Sequence, residues 1–122
     1  MYQTVCETHA FRRAAIQAGL GDADIAAMID YLASNPLAGD EMPGTGGCRK
    51  VQFAGRGKGK SGGYRTITFF TGDELPLFLI TVFGKGEKVD LSKREQNQLR
   101  ELTKQIVAAY RHKITKVANG SA

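Results

Sequence analysis

The chain has 122 residues, 42% of them apolar and 24% charged, with a formal charge of +5. That length builds one core without disulfide or metal staples, and the composition is ordinary for a globular domain. No run approaches the ~18 apolar residues of a membrane span, and the start lacks a signal peptide's basic and apolar stretches, so a cytoplasmic protein without membrane contact is expected. Cys6 and Cys48 stand apart, with no C-x-x-C and no Cys/His cluster at zinc-ligand spacing, so neither a bridge, a metal nor a cofactor is expected.

In chain order, Tyr2 to Cys6 reads as a first strand. Thr8 is placed to cap a helix through Gln17, with Phe11, Ala14, Ala15 and Ala18 on one face and Gly19 or Gly21 as its stop. Asp22 is placed to cap a second helix, in which Ile25, Met28, Ile29 and Leu32 follow the 3.6 period until Asn35-Pro36. A turn-rich stretch, Pro36 to Gly47, follows. Cys48 to Ala54 reads as a strand in which Val51 and Phe53 alternate with Lys50 and Gln52. Tyr64 to Phe70 and Leu75 to Phe83 are rich in β-branched and aromatic residues and are joined at Thr71-Gly-Asp-Glu74, a hairpin connection. Both strands are apolar on both faces, as central strands would be with helices on one side and a partly filled concavity on the other. Gly84-Lys85-Gly86 breaks the sheet. Ser92 and Glu95 form a capping box for a last helix, with Leu91 as staple and Leu99, Leu102, Ile106 and Tyr110 in one stripe. That helix is expected to end near His112, giving a domain over residues 1–112 and a frayed tail over 113–122. The order β-α-α-β-β-β-α describes one α+β domain with a small antiparallel sheet.

Charge is unevenly distributed: residues 1–43 carry two cations and six acids, and residues 44–122 carry 15 cations and six acids. The densest stretch is Gly44 to Arg65, with six cations (Arg49, Lys50, Arg56, Lys58, Lys60, Arg65), no acid and eight glycines. A cationic, backbone-accessible loop carried on a sheet suits polyphosphate, nucleic acid before membrane. Ala54-x-x-x-x-Gly59-Lys60-Ser61 matches a relaxed P-loop pattern. A P-loop needs a helix N-terminus after it, and here a strand follows, so nucleotide binding is set aside. Passive binding of RNA or single-stranded DNA stays open, with Tyr64 or Phe83 as bases' stacking partners. So does RNA cleavage at a ribose 2′-hydroxyl, which needs a base, an acid and cations around a doubly charged phosphorane. Arg grips phosphate oxygens best, a crowded Lys can move protons, and no metal is required.

Three ordered motifs weigh on these readings. Gly44-Thr45-Gly46-Gly47-x-Arg49-Lys50, then Gly57-Lys58-Gly59-Lys60-x-Gly62-Gly63-x-Arg65, then Phe83-Gly84-Lys85-x-Glu87 with Asp90-Leu91 closely resemble the HigB branch of the RelE superfamily of bacterial toxins. The likeness runs over roughly residues 24–111, and the family fold, a small antiparallel sheet with helices packed on one side, agrees with the element order above. The resemblance implies a type II toxin–antitoxin toxin, an mRNA interferase that enters the A site of the 70S ribosome and cleaves the mRNA there with the 2′-hydroxyl as nucleophile. It also implies a cognate antitoxin, often a helix-turn-helix protein, that neutralises the toxin and represses the operon.

Residue by residue, the resemblance makes Arg65 the group on the scissile phosphate and Lys50 the strand lysine beside it. The second strand lysine of RelE falls on Gln52, so Lys58 or Lys60 would substitute. Lys85 follows the last strand, where RelE has an arginine one residue later, at Gly86. RelE's later tyrosine has no match here, since its place falls near Ser92. The expected catalytic set is therefore Arg65, Lys50 and Lys85, with Arg49, Arg56, Lys58, Lys60 and Lys88 as RNA contacts. Arg49 is equally suited to capping the sheet edge, Lys88 to plain solvation, and Glu87 and Asp90 to orienting a cation or to solvent. His9 and His112 lie at helix ends far from the loop, and Cys48 has no His partner, so neither histidine nor thiol chemistry is expected. The competing function is a non-catalytic basic RNA- or ribosome-binding protein.

Overall fold

The computed structural model describes residues 3–54, 63–72, 74–84 and 91–120, with side chains as far as residue 111. Its elements are β1 (Val5–Glu7), α1 (His9–Ala18), α2 (Asp22–Ser34), β2 (Asp40–Glu41), β3 (Cys48–Phe53), β4 (Tyr64–Phe69), β5 (Leu77–Gly84) and α3 (Lys93–Gly120). The five strands form one sheet in the order β1-β5-β4-β3-β2. Strands β3 to β5 pair antiparallel, as expected; β2, in the stretch read as turns, adds antiparallel to β3 at one edge, and β1 adds to β5 in parallel at the other.

Local chemistry sets the element ends. Thr8 Oγ1 accepts the Phe11 N–H at 3.1 Å, and the same hydroxyl donates to the Leu79 carbonyl at 2.8 Å, so the cap of α1 also ties that helix to β5. Gly19 stops α1 with its N–H on the Ala15 and Ile16 carbonyls. Gly21, not Asp22, caps α2. Asp22 is the first helical residue, and the Asp24 carboxylate accepts the Gly21 N–H at 3.2 Å, so both acids sit where the helix dipole favours negative charge. The capping box of α3 forms as read: Ser92 N–H donates to Glu95 Oε1 at 2.9 Å, and Glu95 N–H to Ser92 Oγ at 3.1 Å. This helix runs to Gly120, past the end expected near His112. Ile114 and Val117 continue the spacing of Ile106 and Tyr110, and no Gly or Pro intervenes before Gly120. β5 begins at Leu77, not Leu75, because Pro76 has no N–H to give the ladder.

Alternation along the strands divides the core in two. Val51, Tyr64, Leu77, Leu79 and Val82 pack under α1 and α2 against Phe11, Ala15, Met28 and Leu32. The alternating residues Cys48, Ile67, Phe69, Phe78 and Ile80 form a second cluster with Leu99, Leu102, Ile106 and Tyr110 of α3. Within it, the Phe78 and Tyr110 rings meet edge to face at 5.3 Å. The α1–α2 layer is thus on one face of the sheet, and α3 packs on the other. β5 carries one extra residue opposite β4: Ile67 faces Thr81 while Thr68 faces Leu79, leaving Ile80 as a bulge. The bulge moves Val82 to the α1–α2 side and turns Phe83 to the α3 side.

Candidate active site

Strand register brings the two strongest sequence candidates to one face. Lys50 of β3 stands opposite Ile67 of β4, and Arg65 stands opposite Gln52 on one side and Phe83 on the other. Paired residues share a face, and Ile67 and Phe83 both belong to the α3-side cluster. Lys50, Gln52, Arg65 and Phe83 therefore all rise on the α3 side of the sheet. Lys50 and Arg65 are diagonal neighbours, roughly 7 Å apart at their bases, so two long cationic side chains can converge on one phosphate above the sheet. Both are half-buried, and Gln52 is exposed.

The strand that carries Lys50 is braced at its edge. Gly39 has φ +90°, and a Cβ there would run into the Lys50 carbonyl oxygen, so the chain leading into β2 can lie against β3 only as glycine. Arg49 points to the α1–α2 side, with Val51 and Phe53, and its guanidinium donates to the Gly39 carbonyl at 3.1 Å. Of the two roles open to Arg49, the structure displays the edge brace, on the face opposite Lys50 and Arg65.

A cavity of about 250 Å³ adjoins the cations, between β2 and the start of α3. Lys50, Phe83, Leu91 and Gln96 line it together with the β2 segment from Asp40 to Pro43. Asp40 faces Lys50 directly across the β2–β3 ladder. The two-residue strand β2 and this cavity carry no sequence signature: two exposed acids after a glycine read as a turn. Of the two aromatics considered for stacking, Tyr64 is buried under α1 and α2, whereas Phe83 is half-buried on the cation side. Of these two, Phe83 is the one with an accessible ring.

His9 opens α1, on the layer away from Lys50 and Arg65. Cys48 is fully buried, and burial pushes its thiol up to about 11 against a weaker opposing hydrogen bond from Thr45. A protonated, inaccessible thiol is no nucleophile, in keeping with the sequence reading. Among the described residues no group of His, Cys, Asp and Glu could hold a metal ion, and no helix is long and apolar enough to cross a membrane. Arg56, Lys58, Lys60, Lys85 and Lys88, with Glu87 and Asp90, lie outside the described residues, as does the His112 side chain.

A family model for the RelE toxin of the RelE/RelB toxin–antitoxin system matches residues 3–122. The chain belongs to the RelE toxin family. Among solved structures it is similar to E. coli toxin RelE, a double arginine-to-alanine mutant in the free state, at 21% identity over 71% of this chain and 86% of that one, with a TM-score of 0.48. It is accordingly a toxin of a toxin–antitoxin system, and RelE toxins pair with an antitoxin. Within this RelE-family chain, Lys50 and Arg65 share one face of the sheet, Gln52 stands beside Arg65 on that face, and Arg49 turns away.

Proposed function

We propose that this RelE-family toxin is a ribosome-dependent endonuclease that cuts mRNA in the ribosomal A site, with the ribose 2′-hydroxyl as nucleophile and no metal ion. The observation that carries the reading is the register placing Lys50 and Arg65 on one face of the sheet, on neighbouring strands. In the reaction the 2′-oxygen loses its proton and bonds to the adjacent phosphorus. The P–O5′ bond then breaks and the 5′-oxygen takes up a proton, leaving a 2′,3′-cyclic phosphate and a 5′-hydroxyl. The phosphorane in between carries two negative charges. Arg65 answers that charge with a planar, permanently charged fork matched to two phosphate oxygens. Lys50, diagonal to it, adds a second cation and is the described residue best situated to hold or move a proton. Lys85 is the third catalytic candidate, and Arg56, Lys58, Lys60 and Lys88 serve as contacts to the RNA backbone. Arg49 contributes through its edge brace or through RNA.

The toxin acts in the cytoplasm, on the 70S ribosome and its message, and a cognate antitoxin of helix-turn-helix type restrains it. Induction in cells tests the reading. Wild type is expected to arrest growth and cut translated messages, and Arg65→Ala to do neither, with a 10²–10³-fold loss of cleavage expected on the order of other lost transition-state donors. If wild-type protein binds ribosomes and leaves message intact, the chain is instead a non-catalytic ribosome binder.

A further inference from the structure

We propose that the cavity between β2 and the start of α3 receives the base of the nucleotide whose phosphate Lys50 and Arg65 hold, and that it selects a base bearing an exocyclic amine over uracil. The proposal rests on the endonuclease reading for its substrate, RNA. At about 250 Å³ the cavity is smaller than pockets for drug-sized ligands and suits a single planar ring system. Lys50 belongs to both the cation pair and the cavity wall, so a phosphate on Lys50 puts its own nucleoside at the opening. Phe83, opposite Arg65 in the ladder, supplies an aromatic surface on the same side, and Leu91 an apolar wall.

The polar lining argues for a base over a second phosphate. Asp40 shares the face of Lys50 and brings a carboxylate to the lining. Carboxylates repel phosphate but accept N–H groups, as they do from cytosine N4. Adenine and guanine also carry an exocyclic amine, whereas uracil presents carbonyl oxygens in its place and would set them against a carboxylate. Gln96 completes the lining with an amide that both donates and accepts. Its Oε1 lies 3.1 Å from where a Cβ on Gly44 would sit, so the bare Gly44 backbone fits the amide closely.

Titrating the full chain with the four nucleoside 3′-monophosphates, read by NMR, tests this without requiring cleavage. The cytidine, adenosine or guanosine compound is expected to shift the Phe83 ring and Gln96 side-chain resonances and to bind about tenfold tighter than the uridine compound. Asp40→Asn, at an exposed position, should bring that ratio to within about twofold, and Phe83→Leu should weaken the favoured nucleotide. Equal affinity for all four, or shifts confined to other surfaces, overturns the proposal. So does a cavity whose resonances respond to purified antitoxin and to no nucleotide. A chain that selects among the nucleotides yet cuts no message upholds the cavity and refutes the endonuclease reading. One that cuts message and binds all four alike does the reverse.

Discussion

At the residue scale, Arg65 differs from a lysine as a planar fork differs from a point charge. Arg65→Lys keeps the positive charge next to Gln52 and Phe83 but loses the bidentate grip. It is expected to retain about a tenth or less of wild-type single-turnover cleavage on programmed ribosomes; full activity in Arg65→Lys would mean that charge alone suffices. Cys48 gives a second residue-scale prediction, this one about stability. Below pH 9 its thiol is protonated in both states. Between about 9 and about 11 the unfolded chain ionises while the buried thiol does not, so stability falls as pH rises through that window. Urea unfolding at pH 8.5 and 10.5 should show a drop that Cys48→Ala reduces by about 2 kcal/mol. An identical drop in both proteins would contradict the assignment. Lys50 and Arg65 are legible in the sequence because alternation with Val51 and flanking glycines mark them. That Tyr64 is buried is not, since both faces of β4 are apolar and the pattern does not say which way an aromatic turns.

At the element scale the site depends on how α3 packs against the sheet. Thr103 of α3 is buried, and its hydroxyl lies against the β2–β3 connection, where Gly46 has φ +79°. A Cβ on Gly46 would fall 2.6 Å from Thr103 Oγ1. Gly46→Ala therefore combines a strained backbone with a forced shift of α3, and should cost about 1–3 kcal/mol in denaturant unfolding. Thr103→Ala in the same chain should recover the part due to the contact and leave the backbone part; no recovery would place the whole cost in the backbone. The helices are legible because Thr8, Gly19, Ser92 and Glu95 are specific punctuation and the apolar spacings are regular. β2 and the bulge at Ile80 are not. β2 is a strand only because Arg49 and Lys50 offer it a partner, and one extra residue in an apolar strand leaves no mark on composition.

At the scale of the whole molecule, the chain separates its charge. Residues 1–43 hold six of the 12 acids, and the stretch Gly44 to Arg65 holds six of the 17 cations and no acid. Phosphate contacts release counterions, so affinity for ribosomes or RNA should fall by roughly 10²-fold between about 50 and 200 mM salt. A flat salt profile would remove the cationic stretch as the contact surface. Membership of the RelE toxin family was legible from three short motifs in order, whereas the cavity beside Lys50 was not. The Asp40, Phe83 and Gln96 lining comes together only when β2, β5 and α3 meet.

The most direct test of the account is primer extension on a defined message, either naked or held in purified ribosomes with an open A site. Wild-type protein is expected to cut only the ribosome-held message, within the A-site codon. A 2′-deoxy nucleotide on the 5′ side of the cut should abolish the product, as should Arg65→Ala. Cutting that persists through the 2′-deoxy position, or that Arg65→Ala leaves unchanged, would contradict the mechanism drawn from Lys50 and Arg65.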